Sequence, residues 1–153
     1  MSCCWYAQPK VKLTPAGLFF IQIAMKITRQ LKLTSLKDEF VICKLDQGSE
    51  IPSWAFGGEF FSLTRTAEEL SILCPANQVP ELSHYETGWR GLKIEGPFEF
   101  DEIGVLASLT APLAEAKISL LTISTYDTDY IFIKQENYRQ AVNTLEAAGH
   151  TIT

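Results

Sequence analysis

Hydrophobic positions along this chain are strand-like in the first half and alternate between strand and helix periods in the second. From Glu39 to Asp46 the run Phe-Val-Ile-Cys-Lys-Leu is apolar on both faces near its start, which predicts a strand inside a covered sheet. Gln47-Gly48 ends it. In the segment Ser49 to Phe56, Ser49 offers an N-cap and Gly57-Gly58 a stop, so this is at most a short helix. Strands follow at Glu59 to Thr66 and Glu69 to Pro75, with Ala67-Glu68 at the bend, and the turn-rich stretch Asn77 to Gly88 reads as a connector.

The second half is more regular. It reads as strand Trp89 to Gly96, helix from about Glu102 to Ala116, strands Ser119 to Thr125 and Asp129 to Lys134, helix Gln135 to Ala148 and a last strand His150 to Thr153. Ile103, Leu106, Leu109 and Leu113 recur at helical spacing, so the first helix presents one face to a sheet. Pro112 lies inside it and is expected to bend or interrupt it near Ser108, whose carbonyl receives no N–H from the proline. On the last helix Tyr138, Ala141, Val142 and Leu145 form the buried stripe, and Gly149 is placed as the C′ residue. The order βαββαβ is the ferredoxin-like arrangement.

A low-identity internal repeat supports two such units. Phe61 to Ile72 parallels Thr122 to Phe132 as strand, polar bend and second strand, with Glu69 opposite Asp129 within one position. The first unit lacks an evident second helix and last strand, although Leu31 to Thr34 can supply a strand. The expected class is α+β, with two ferredoxin-like units of which the first is degenerate. Their spans are residues 31–88 and 89–153, after an N-terminal extension of residues 1–30.

Composition narrows the function classes. The 153 residues are 46% hydrophobic and 20% charged, a globular profile, and a chain of this length buries roughly 70% of its surface. Thirteen Lys and Arg against 18 Asp and Glu give a net charge of −5 with scattered positive residues, which disfavours nucleic acid. A βαββαβ order also suits an RNA-recognition domain, but Trp89, Tyr130 and Phe132 lack the basic aromatic motif and basic face that go with it. None of Cys3, Cys4, Cys43 and Cys74 forms a C-x-x-C pair, so no metal is expected and Cys43 and Cys74 read as reduced core residues. Lys10 and Lys12 before the apolar stretch Leu13 to Met25 resemble the start of a signal peptide. No small-residue cleavage pattern follows, and the stretch is too short to span a membrane. Met25 therefore reads as the start of the functional protein, with residues 1–24 upstream of it, and an extra packed element or a targeting segment as alternatives.

Apparatus for catalysis is sparse. His84 and His150 read as solvated loop residues without a nucleophile partner. Asp101 and Glu102 have a sufficient role at the positive end of a helix, and the common phosphate, dinucleotide and zinc-protease motifs are absent. A ligand site is the stronger reading. Ile103-Gly104-Val105 places free backbone N–H groups at a helix start, where a carboxylate can be held. Ser124, Thr125, Tyr126, Thr128 and Asp129 gather hydroxyls and a carboxylate at one strand end, where an acid can accept from an ammonium or guanidinium group. A hairpin that is polar only because it is a hairpin is the bland alternative.

At these residues a family resemblance emerges. Phe40 to Asp46, Ile51 to Ala55, Phe61 to Ile72, Gly88-Trp89-Arg90, Glu95-Gly96-Pro97, Gly104 to Leu109 and Ile123 to Tyr130 resemble the bacterial tandem ACT-domain proteins. These are similar to the CASTOR-type arginine sensors and to the regulatory part of aspartate kinases. The likeness covers about Leu31 to Thr153. It implies paired ACT units binding a small effector, typically an amino acid, between units and often between chains. By position, Ile103, Gly104 and Val105 would contact the carboxylate. Tyr126 and Thr128 would lie beside the ligand and Asp129 would face a guanidinium, although the sensors tend to carry aromatics where Thr128 stands. The expectation is a cytoplasmic, non-enzymatic, homo-oligomeric regulator without cofactor or membrane partner. A ligand-free dimerisation module and a small acylphosphatase-like hydrolase, using Arg65 or Arg90 with Asn77, are the alternatives.

Overall fold

The structure, a computed structural model, describes residues 29–82 and 84–153. The expectations for residues 1–24, for Met25 and for Cys3 and Cys4 lie outside them. Seven strands, β1 (Lys32–Leu45), β2 (Ser62–Arg65), β3 (Leu70–Pro75), β4 (Tyr85–Ile94), β5 (Leu120–Ser124), β6 (Asp129–Lys134) and β7 (Thr151–Ile152), form one sheet. Two helices, α1 (Val105–Glu115) and α2 (Gln135–Ala147), belong to the second half. The class is α+β, as the sequence indicates. In the first half, among the described residues, single 3-10 turns at Ser53–Ala55 and Ala76–Gln78 stand where a complete unit has helices.

The sheet order is β2-β3-β1-β4-β6-β5, with β7 added alongside β1. It reads the same from either end if β1 is exchanged with β4, β3 with β6 and β2 with β5. The two inner strands run antiparallel, from Leu33 opposite Ile94 to Cys43 opposite Tyr85, with register shifts between Ser35 and Glu39 and between Phe40 and Ile42. The expected strands Leu31 to Thr34 and Glu39 to Asp46 are thus one 14-residue strand. Local pattern could not join them, because Lys37-Asp38 between them looks like a turn. The connector is shorter than expected for a related reason: Tyr85 and Glu86 pair with Cys43 and Ile42, so β4 begins at Tyr85.

Three apolar clusters hold these layers. Leu33, Leu92, Ile94, Ile131 and Ile133 of the sheet meet Val105, Leu109 and Leu113 of α1 and Ala141 and Leu145 of α2. On the opposite face Phe40, Phe60, Trp89 and Phe132 pack together, the Phe40 and Phe132 rings edge to face at 5.1 Å. Gly91 makes room for this, since a Cβ there would lie 2.8 Å from Phe132 Cε1 and 2.6 Å from Leu36 Cδ1. The third cluster contains Val41, Cys43, Ala55, Leu70, Ile72 and Cys74. Burial pushes the Cys43 thiol up, and burial together with nearby Cys43 pushes Cys74 from its ordinary value of 9.0 to about 11.

Helix ends follow sequence chemistry. Gly149, at φ 94°, is the C′ residue of α2; its N–H donates to Glu146 O at 2.9 Å and that of His150 to Leu145 O at 3.0 Å. Pro112, however, does not interrupt α1, which runs through it to Glu115. The freed Ser108 carbonyl lies 3.1 Å from His150 Nε2. His150 is therefore not the solvated loop residue its neighbours Gly149 and Thr151 suggest: it is buried, 6% exposed.

Candidate functional site

The β5–β6 hairpin and the loop after β4 converge on one end of the sheet. The hairpin turns through Thr125 to Thr128, closed by the Thr125 N–H donating to Thr128 O at 2.8 Å, with the Thr125 hydroxyl donating to the same oxygen at 2.8 Å. Thr128 is buried and its hydroxyl donates to Ile94 O, fixing the hairpin to β4. The Phe98 N–H donates to Asp127 O at 2.9 Å, which ties the loop to the hairpin tip. Gly96 lies under this junction, where a Cβ would stand 2.5 Å from Asp127 O. Beside it, the Glu95 carboxyl is held below its ordinary range chiefly by a hydrogen bond from Lys32, and Thr34 donates to the same carboxylate at 3.1 Å.

The loop then rises to Gly104, whose φ of 88° favours glycine and turns the chain into α1. The first intrahelical bond runs from the Ser108 N–H to Gly104 O at 3.0 Å. The N–H groups of Val105, Leu106 and Ala107 thus have no helical acceptor, and among the described residues no side chain caps the helix start.

Between these walls lies an open cleft of about 370 Å³. Of the sequence-derived candidates, Gly104, Val105, Ser124, Thr125, Tyr126, Thr128 and Asp129 line it. Ile103 does not: its side chain is 95% exposed. Thr125 and Thr128 are engaged in holding the hairpin, whereas Asp129 accepts a hydrogen bond only from Ser124 among the described residues. Tyr126 is 79% exposed and meets the Phe100 ring edge to face at 5.1 Å at the cleft mouth. Sequence reasoning missed Glu99, Phe100 and Asp127 on the lining. Their one signal is position next to the marked turn, since nothing in a polar loop says that it folds back.

The cleft is electrostatically asymmetric. Glu99, Glu102, Asp127 and Asp129 line it, and among the described residues no Lys or Arg does. Glu102 forms an ion pair with Arg29, whose guanidinium sits 5.3 Å from the Phe98 ring centre. Asp127 and Asp129 stand on the hairpin wall, Glu99 and Glu102 on the loop that leads into α1, and the positive end of α1 lies at the end of that loop. The arrangement accepts an anionic group at the helix and a cationic group at the acids. Among the described residues no cluster suited to a metal ion occurs, and no helix is long and apolar enough to cross a membrane.

The first half repeats the hairpin but not the cleft. Arg65 and Leu70 pair across a four-residue turn, as Ser124 and Asp129 do. Here the Arg65 guanidinium donates to Gln47 O and, at 2.7 Å, to Ser49 O, occupying the space between hairpin and loop.

Comparisons with known proteins bear on the family and the fold. A family model for the ACT domain matches residues 84–147, and a second model, of an N-terminal domain, matches residues 38–82. A crystal structure of an Agobacterium tumefaciens protein is 35% identical, covers 82% of this chain and 93% of its own, and superimposes with a TM-score of 0.78. Clostridium acetobutylicum aspartate kinase shares the fold at 9% identity and a TM-score of 0.56, over 76% of this chain and 34% of the kinase. Subunit 1 of the cytosolic arginine sensor for mTORC1 from Bos taurus is 33% identical over 98 residues, 57% of this chain. The match spans 30% of that sensor's length. The chain belongs to the ACT-domain family.

Proposed function

We propose that this protein is a non-enzymatic regulator that binds an amino acid in the cleft between the β5–β6 hairpin and α1. One observation carries the reading: three helix amides without a helical acceptor line the same cleft as Asp127 and Asp129, which form no ion pair among the described residues. The amides would hold the effector's carboxylate, and Asp129 with Ser124 would take its cationic end. The acidic lining favours a ligand with a basic side chain, and the resemblance to a cytosolic arginine sensor supports action in the cytoplasm.

The two halves would then be tandem ACT units joined by the β1–β4 ladder, divided before β4 at Tyr85 and not at 88/89, a boundary that would cut that strand. The palindromic strand order and the repeated four-residue hairpin support this pairing. Only the second unit would keep an open site, because Arg65 fills the first. That engagement disfavours the hydrolase alternative at Arg65, and Arg90 sits over the Tyr138 ring at 5.0 Å with its guanidinium toward Gln135 and Leu36 O. A homo-oligomer that closes the open cleft would pass on occupancy, through a difference in affinity between assembly states.

Thermal-shift screening against the twenty amino acids tests the proposal. An amino acid at 100 times its Kd stabilises the fold by about 2.7 kcal/mol, roughly 5–10 °C for a chain of this size. Asp129→Ala should remove the response to arginine and lysine while leaving the unliganded Tm within a few degrees. A screen in which no amino acid raises the Tm removes the sensing role and favours the dimerisation module.

A further inference from the structure

His150 lies outside the cleft yet holds the helix that forms one of its walls. The Leu31 N–H donates to its Nδ1 at 3.2 Å, so Nδ1 is the acceptor and Nε2 carries the ring proton. That proton faces Ser108 O at 3.1 Å. Ser108 is itself 7% exposed, and its carbonyl is the one to which residue 112 would donate were it not proline. One imidazole therefore joins the residue before β1, the residue before β7 and the first turn of α1. We propose that His150 is a positioning residue of the cleft, latching α1 to the sheet through the single helical carbonyl that Pro112 leaves without an amide.

The latch rests on the reading of the cleft as a binding site, but its geometry has independent grounds. Pro112 creates a buried acceptor that water at this burial cannot serve, and a buried carbonyl left unpaired forces local rearrangement. Ser108 is three residues from Val105, so release of its carbonyl displaces the turn whose amides face the cleft. Main-chain bonds from Thr151 N–H to Leu31 O and from Thr153 N–H to Leu33 O, each 2.9 Å, and from Ser35 N–H to Thr153 O at 2.8 Å hold β7 to β1, so the ring at the head of β7 is seated on a fixed edge from which it reaches α1.

Hydrogen exchange of the full chain tests the latch without a ligand. In His150→Ala the amides of Ser108 to Ala111 should exchange at least tenfold faster, while those of Ile131 and Ile133 in β6 keep their rates. Adding Pro112→Ala should restore the α1 rates to within twofold, because an alanine at 112 supplies the N–H that Ser108 O then lacks. Calorimetric titration with L-arginine should follow the same order, weakened in His150→Ala and recovered in the double variant. Wild-type protein that binds no amino acid refutes the proposed function, while the exchange rates still judge the latch. Equal acceleration in α1 and β6, no acceleration, or failure of Pro112→Ala to restore protection overturns it. Should His150→Ala not fold, the double variant decides: a folded protein with protected α1 amides supports the latch, and an unfolded one refutes it.

Discussion

A methyl group at Gly96 should damage the cleft more than its size suggests. The Cβ of Gly96→Ala would stand 2.5 Å from Asp127 O, a backbone atom, and 3.2 Å from Thr128 Cβ. The oxygen has to retreat by roughly 0.9 Å to regain ordinary contact. That movement strains the bond from the Phe98 N–H to Asp127 O and the bond from the Thr128 hydroxyl to Ile94 O. Overpacking of this kind costs about 2 kcal/mol and weakening each of the two hydrogen bonds about 0.5 kcal/mol, so about 3 kcal/mol is expected in total. For a chain of this length that lowers the Tm by roughly 6–12 °C. Urea unfolding followed by tryptophan fluorescence measures it, with Gly48→Ala as control, since a Cβ at Gly48 meets nothing within 4 Å. If Gly96→Ala matches the control to within about 0.5 kcal/mol, the hairpin is not seated on Gly96 as described.

Other outcomes follow from the core. Phe132→Ala removes a fully buried ring packed against Phe40 and Phe60 and should cost about 3–5 kcal/mol in the same assay. Because burial raises the Cys74 thiol from 9.0 to about 11, the folded state retains a proton that the unfolded state releases. Its contribution to stability is therefore full below pH 9 and is lost as pH rises toward 11, which urea titrations across that range should register. For the same reason a thiol reagent at pH 8 should label Cys43 and Cys74 only as fast as the protein opens, a rate that rises in mild urea.

The second half was largely legible because its signals are local. Helical spacing in Leu106, Leu109 and Leu113, a glycine after Ala148 and the apolar run Tyr130 to Ile133 each act within one element, whereas Ile103, read into the same stripe, precedes α1 and is 95% exposed. What escaped depended on distant partners. No local pattern shows that the sequence around Lys37-Asp38 stays within one strand, since pairing with β3 and β4 decides it. His150 looked solvated because its partners, Leu31 and the Ser108 carbonyl, lie 119 and 42 residues away. At the cleft, the turn at Gly104 and the acid at Asp129 were visible as residue types. The contribution of Glu99 and Asp127 arises only when loop and hairpin meet.

The long strand β1 gives the chain no seam. It bonds β3 along one edge and β4 along the other, so separating the two halves tears open a ladder and exposes Phe40 and Trp89 together. Heat or denaturant should accordingly melt the protein in one cooperative step, without a plateau. A fragment beginning at Tyr85 would hold both helices and the acidic cleft yet lack the strand that lies between β4 and β7. Such a fragment should fold only when the missing half is added back in trans, so that reconstitution, not truncation, is the route to studying either half.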